Sequence, residues 1–506
     1  MQRLPVRSLA LAAAAALATG ACSTDRDTSP LAADPAGASL NTGAAGGPNG
    51  TYMILGRNGV LPTDLEARVQ GAGGRVISII PEIGVAFAEP VEPGFVAAAA
   101  GIAGVESVSP DIELQYTATE AQGGPATEVS AEGVLISDEA SVAAASLGDD
   151  ETFYSFQWAP AAVNAPEAWA AGVTGRGARV AIVDGAIYTN HLDLKANVDV
   201  AASASFVPGF AYNQDVGTLW HGTHVAGIVA ARDNGIGTVG IAPNATLIGV
   251  KVLHNGTGSH NAILNGIMHS ARPRSEGGAE ADIINMSLGA TVDYRGNWGS
   301  ADFRTAFREL QKAYDRATRY AHQQGVTIIS TTGNESVNYD ANKNLFKFPA
   351  ENQFVIAVSA TGPIGWARGA RNFSTLAYYS NFGKSITGLS GPGGNAALLV
   401  VNGDGGTCTV TGTYRTLTNA CYAFDMIMST VRGSGAATTS YNWTQGTSMA
   451  APLVSGVAAL IIERSGGTAT PAQVRTALQR GATDLGKPGE DAEYGAGWVN
   501  ALRSIQ

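Results

Sequence analysis

The sequence predicts an α/β protein. A doubly wound, mostly parallel sheet flanked by helices is expected over residues 151–506, and a small ferredoxin-like α+β unit over residues 51–115. Three observations predict this. Short, nearly continuous apolar runs recur along the larger part: "ARVAIVDG", "ATLIGVKVL", "ADIINMSLG", "GVTIISTTGN" and "NQFVIAVSA". Strands buried on both faces of a parallel sheet read this way. Helical patterns alternate with these runs. Ahead of them, residues 51–115 follow the order β-α-β-β-α-β.

In that first unit, "TYMILG" reads as a strand and "PTDLEARVQGAG" as a helix. "RVISIIPEIGVAFAE" reads as two strands about a Pro/Gly turn, "EPGFVAAAAGIAGV" as a helix and "VESVSPDIELQ" as the closing strand. Residues 116–150 are acidic and rich in small residues, the composition of a linker. Farther on, "ADFRTAFRELQKAYDRATRYAHQQG" is a long amphipathic helix. "TPAQVRTALQRGA" starts with Thr470 at the N-cap, Pro471 at the first helical position and Gln473 two residues later, a capping box. In such a doubly wound sheet, a site is expected at the carboxyl ends of the strands.

The chain has 506 residues, a net charge of −11 and no block of Lys or Arg. A nucleic-acid surface is not expected. Beyond the N-terminus no apolar run reads as a membrane span, and the chain is expected to be a monomer. At the N-terminus, Arg3 and Arg7 precede the apolar "SLALAAAAALATG", an export signal over residues 1–22. "ATGACST" resembles a bacterial lipobox, in which Cys22 would be lipidated. The alternative is ordinary cleavage near Ala21. Residues 23–50, without periodicity, read as a tether. The expected location is the cell envelope, with any membrane contact made through that lipid, or the extracellular space after maturation. The other two cysteines, Cys408 and Cys421, lie in one β-like stretch. An exported protein favours a local disulfide there over two buried thiols.

Three reactive groups fall at the expected sheet edge. Asp184 ends an apolar strand, His221 opens "HGTHVAGIVAA", and Ser448 opens "SMAAPLVSG". A serine hydroxyl needs a neighbouring base, and the base needs a carboxylate to fix its tautomer. A helix N-terminus aims backbone N–H groups at developing negative charge. Asn334 in "ISTTGN" offers a further amide donor for an oxyanion. His221 and His224 could by themselves be packed histidines or metal ligands, but no acidic partner completes a zinc motif.

"HGTHVAG" and "GTSMAAP" resemble the His and Ser signatures of the subtilases, the subtilisin-like serine peptidases. The resemblance covers residues 153–505, and residues 51–115 look like the family's inhibitor propeptide. It implies a serine endopeptidase acting on proteins or peptides, with no catalytic cofactor, that removes its own propeptide. Asp184 would orient, His221 would act as base and acid, Ser448 would attack and Asn334 would hold the oxyanion. A peptide ligase or an inactive binding protein on the same fold are the alternatives. The family's Asp motif continues with Ser or Thr and then Gly; here Gly185 comes one place early. Ser287, Leu288 and Gly289, with Gly256, Thr257 and Gly258, resemble the strands flanking a bound peptide. Asp193 and the loop "ARDNGIGTVG" resemble a structural calcium site. The implied ligands are the Asp193 carboxylate, the Asn234 side chain and the carbonyls of Arg232, Ile236 and Thr238, with Gln157 as a candidate N-terminal ligand. Phe348-Pro349-Ala350 resembles the segment after the floor of the first specificity pocket. That puts Lys347 at the floor, favouring either Asp or Glu before the cut or, with the ammonium turned to solvent, broad apolar-tolerant cleavage.

Overall fold

Seven parallel strands carry the larger part of the chain. The computed structural model describes residues 50–111, 129–130, 148, 150–217, 220–295, 301–433 and 439–506. The expected export signal, Cys22, the tether and most of the linker lie outside the described residues.

The N-terminal unit comprises β1 (Tyr52–Gly56), α1 (Leu65–Gly71), β2 (Gly74–Ile80), β3 (Val85–Pro90), α2 (Phe95–Ala100) and β4 (Val105–Pro110). Its antiparallel sheet has the order β2-β3-β1-β4, the ferredoxin-like arrangement. Strand side chains alternate between two faces. Tyr52, Ile54, Ala86 and Ala88 pack on Leu65, Val69, Phe95 and Ala99 of its own helices. Met53, Leu55, Val85 and Phe87 point the other way, into a core shared with the larger part.

There the elements are β5 (Arg179–Asp184), β6 (Ala204–Ser205), α3 (His221–Ala230), β7 (Thr246–Lys251), α4 (His260–Ala271), β8 (Ile283–Met286), β9 (Ala290–Asp293), α5 (Ala301–Gln323), β10 (Thr327–Thr331), β11 (Leu345–Phe348), β12 (Val355–Thr361) and β13 (Leu389–Pro392). The parallel sheet runs β13-β12-β10-β8-β5-β7-β6. The central strands are apolar on both faces because each face is covered. Val180 and Ile182 of β5 join the core around α3, while Ala181 and Val183 join the core around α4 and α5. The chain passes from β5 to β7 on one side and returns to β8 on the other. The carboxyl end of β5 is therefore a switch point, where a crevice opens.

The C-terminal part adds the hairpin β14 (Thr407–Thr411) and β15 (Thr416–Ala420), the pair β16 (Ile427–Val431) and β17 (Ser440–Thr444), then α6 (Thr447–Arg464) and α7 (Pro471–Gly481). The capping box at Thr470 forms: its hydroxyl accepts from Gln473 N, and Gln473 Oε1 accepts from Thr470 N at 2.9 Å. Contrary to the sequence expectation, α6 is long and apolar enough to cross a membrane. Yet 89% of it is buried inside the fold, so its composition serves the core. Cys408 and Cys421 form a disulfide, closing the exposed hairpin onto Phe153 and Phe156. Replacing both cysteines by serine should cost about 3 kcal/mol by the chain-entropy account, read as a lower urea midpoint. Turnover should not change, because the hairpin packs into a core with Phe153, Phe156 and Phe424 that is separate from the one joining β5 and α3.

Candidate active site

Asp184 ends β5 with its side chain 1% exposed. The N–H of Gly185 donates to its Oδ1 at 2.6 Å. The unusual glycine has a steric cause: a methyl there would lie 2.6 Å from Asp215 Oδ2. That carboxylate is in turn held by Lys251, which is buried at the end of β7. The early glycine thus leaves Asp184 hydrogen-bonded and makes room for the Asp215–Lys251 pair.

Helix α3 starts at His221, whose Nδ1 lies 2.9 and 3.0 Å from the two oxygens of Asp184. An ionised carboxylate can only accept, so Nδ1 donates, and in the neutral imidazole Nε2 then keeps its lone pair. Gly222 permits this approach, since a methyl there would meet Ala186 O at 2.9 Å and Asp184 Oδ1 at 3.3 Å. Thr223 clamps the loop after Asp184, donating to Ala186 O and accepting from Tyr188 N. His224 faces the other way, its Nε2 on Asn442 O at 3.1 Å. Burial pushes its pKa down to about 3. With Nε2 on a backbone carbonyl, it is a neutral packing residue that turns away from His221.

Helix α6 brings Ser448 to the same edge, 3% exposed. Pro452 lies inside the helix. Having no N–H, it cannot donate to the carbonyl four residues back. That carbonyl belongs to Ser448, and it accepts from Ser287 Oγ at 2.8 Å instead. Ser448 Oγ donates to Ser287 O at 3.3 Å. This bond is long for a hydroxyl and easily exchanged. Asn285 and Ser455 extend the network between β8 and α6.

Asn334 follows β10. Its Oδ1 accepts from both the N–H and the hydroxyl of Thr447, at 2.8 and 2.9 Å. This turns its amide nitrogen toward Gly446. The point a Cβ of Gly446 would occupy is 3.3 Å from Asn334 Nδ2 and 3.6 Å from Ser448 N. Two donors therefore flank one small space, kept open because residue 446 is glycine.

Ser287, Leu288 and Gly289 join β8 to β9 beside Ser448, whereas Gly256 to Gly258 differ from the expected strand. His254 and Thr257 bond across a tight turn with Asn255 and Gly256 both at positive φ. Asn-Gly favours this hairpin turn over a continuous strand.

The calcium-like loop wraps closely around Asp193. Its Oδ2 accepts from Thr238 N and Tyr441 Oη, while Oδ1 is buried with no hydrogen-bond partner among the described residues. A methyl at Gly237 would come within 2.5 Å of Oδ2. Arg232 donates its N–H to Asp193 O, and Ile236 its N–H to Asn234 Oδ1. Gln157 is not at this centre, because its amide pairs with both backbone groups of Val239. Glu151 is there instead. Its Oε1 accepts from Asn234 N and Gly235 N, and its Oε2 is buried without a partner among the described residues. Burial, with Asp193 beside it, pushes the Glu151 carboxyl up to about 10, and burial pushes Asp193 up to about 8. Asp150 and Asp233 bring further carboxylate oxygens within 4.8 Å of Glu151. The acidic run "DDE" was the sequence signal for Glu151.

Residues 175–497 match the Subtilase family, peptidase S8. Subtilisin DY of Bacillus licheniformis is 32% identical over 345 residues, 68% of this chain and 96% of that protein. The chain belongs to the subtilase family. It is a serine-type endopeptidase of the subtilisin-like fold; the chemistry needs no catalytic cofactor, and structural calcium is common among subtilases. Alkaline elastase YaB of Bacillus sp. (strain YaB) is 32% identical over 351 residues, 69% of this chain and 70% of that protein. Among solved structures, an epidermin leader peptide processing serine protease from Staphylococcus aureus shares the fold over 90% of this chain and 97% of its own, with TM-score 0.66 and 20% identity. A lanthipeptide protease covers 69% of this chain and 93% of its own, with TM-score 0.52 and 26% identity.

Replacing Ser287 by alanine should leave the Ser448 carbonyl buried without a donor. A cost of about 1–3 kcal/mol is expected, measured as a lower denaturation midpoint with a parallel loss of kcat.

Proposed function

We propose that this subtilase cleaves peptide bonds by attack of Ser448 Oγ, with His221 as base and then acid, Asp184 holding the imidazole, and Asn334 with the Ser448 N–H receiving the oxyanion. The observation carrying this reading is the Asp184–His221 bond at the carboxyl edge of β5 where the mouth of α6 presents Ser448. Ser448 gives its proton to His221 Nε2 as its oxygen bonds to the substrate carbonyl carbon. The imidazolium so formed is stabilised by Asp184 and then protonates the leaving amine. Water repeats the sequence to release the acyl group. A substrate in extended form adds beside Ser287–Gly289 through its main chain. Replacing Asn334 by leucine should lower kcat about 10²- to 10³-fold with little change in KM; the range comes from this donor in subtilisin itself, a relative. An unchanged kcat would remove Asn334 from the role.

Residues 51–115 act as an inhibitory propeptide that the enzyme removes between about Leu114 and Glu151. Supporting this, the unit rests on α4 and α5 through an apolar face and through ion pairs of Glu106 with Lys312 and Arg316, and of Glu82 with Arg272. Ser448→Ala should accumulate as full precursor on a gel of purified protein. Normal trimming of that variant in a protease-free preparation would rule out self-processing. Export by the N-terminal signal follows the same reading, with Cys22 as lipid anchor for the pro-region only.

Calcium is proposed at the Asp193 loop, held by Asp193 and the Asn234 side chain, with the carbonyls of Arg232, Ile236 and Thr238, and with Glu151 added. The donors are all oxygen, and two buried carboxylates each keep an unpartnered oxygen, which suits a hard cation. Calcium at a hundredfold excess over Kd should stabilise by about 2.7 kcal/mol. A Tm equal in chelator and in millimolar calcium would exclude the site.

A further inference from the structure

We propose that Lys347 and Glu335 together close the first specificity pocket, restricting cleavage to bonds that follow small residues such as alanine, serine or glycine. The inference rests on the peptidase reading above and names its substrate class.

The slot is defined by two glycine lips. Gly289 lies two residues beyond Ser287, whose carbonyl takes the Ser448 hydroxyl. Gly333 precedes Asn334, and its N–H donates to Thr447 Oγ1 at 3.1 Å. With a substrate carbonyl carbon at Ser448 and its oxygen at Asn334, the side chain next to that carbonyl falls between these lips. The lips have no side chains of their own to obstruct it.

The chain's own lysine takes this space. Lys347 stands opposite Thr291 in the pairing of β9 with β11. Its stem crosses Gly289, where a methyl would lie 2.9 Å from Lys347 Cε. Its ammonium ends at Gly333, where a methyl would lie 2.6 Å from Lys347 Nζ and 2.5 Å from Glu335 Oε2. The lysine side chain is 2% exposed, so it has not turned to solvent as the sequence allowed. Nζ donates to Glu335 Oε1 at 2.9 Å and to Thr291 Oγ1 at 3.1 Å. Asn381 locks the carboxylate: its Nδ2 donates to Glu335 Oε2, and its Oδ1 accepts from Glu335 N at 3.1 Å.

Both sequence expectations for Lys347 are revised by this pairing. A bulky apolar side chain meets a filled slot. An acidic one meets an ammonium already paired with Glu335, whose own charge repels it. Room is left at the mouth for the side chain of glycine, alanine or serine alone.

The test compares peptides identical except for Ala, Ser, Glu, Gln, Leu or Phe before one cleavable bond. Wild type should favour Ala and Ser over Leu and Phe by at least about tenfold in kcat/KM, a discrimination within reach of a shaped pocket. Glu should be cut no better than Gln. The double variant Lys347→Gly with Glu335→Gln leaves no stranded charge. Its ratio of kcat/KM for Phe over Ala should rise at least about tenfold above that of wild type. Lys347→Met, which keeps the bulk without the charge, should retain the small-residue profile. Each preparation is labelled with a fluorophosphonate probe read at Ser448. Wild type that labels but cuts after Phe or Leu as well as after Ala, or prefers Glu to Gln tenfold, overturns the closed pocket alone. Wild type that neither labels nor cuts any peptide overturns the peptidase reading as well.

Discussion

A missing backbone hydrogen atom organises the site. Proline at 452 takes away the donor that the Ser448 carbonyl would find within its own helix, and the Ser287 hydroxyl replaces it at 2.8 Å. The first turn of α6 is thereby tied to the segment leaving β8 rather than to itself. The same serine returns its carbonyl to Ser448 Oγ, and Asn334 holds the preceding Thr447 through two bonds. Ser448, the Asn334 amide and the segment Ser287–Gly289 are thus fixed by one junction between helix and sheet. Buried polar groups in such a junction hold their positions because losing any one of them strands another.

The second fixed point is the end of β5. Asp184 is buried where strand order reverses, held by the N–H of Gly185 and facing His221 across the crevice. The sheet is anchored on both faces by apolar side chains of alternate residues, so its edge is a rigid platform. A carboxylate in that position keeps the imidazole in one tautomer with little reorganisation as charge develops. Small residues recur here for a steric reason: at positions 185, 222 and 446 a methyl would meet Asp215, Ala186 and Asn334 respectively.

Much of this was legible in the sequence. Apolar runs without alternation gave away strands covered on both faces, and the small-residue signatures around His221 and Ser448 marked the two helix mouths. The capping box at Thr470 was legible because its bonds are local. What escaped depends on partners distant in the chain. Glu151 reaches the Asp193 loop from a stretch whose acidity suggested a linker, and Gln157 was too strongly engaged by Val239 to serve there. Lys347 stood out in the sequence, but its charge could not be weighed without Glu335 and Asn381. Gly256 read as part of a strand, whereas two successive positive-φ residues fold it into a turn. The early glycine at 185 was visible as a departure, yet its cause, the carboxylate of Asp215, lies thirty positions on.

The central claim is that Ser448 becomes covalently acylated during turnover at this junction. Rapid acid quenching during hydrolysis of an activated ester of an alanine-terminated peptide, followed by mass spectrometry of the digested protein, tests it directly. The account predicts an added acyl mass on the peptide containing Ser448, appearing before steady state and absent from Ser448→Ala. Turnover with no acylated serine, or with the acyl group on another residue, would contradict it.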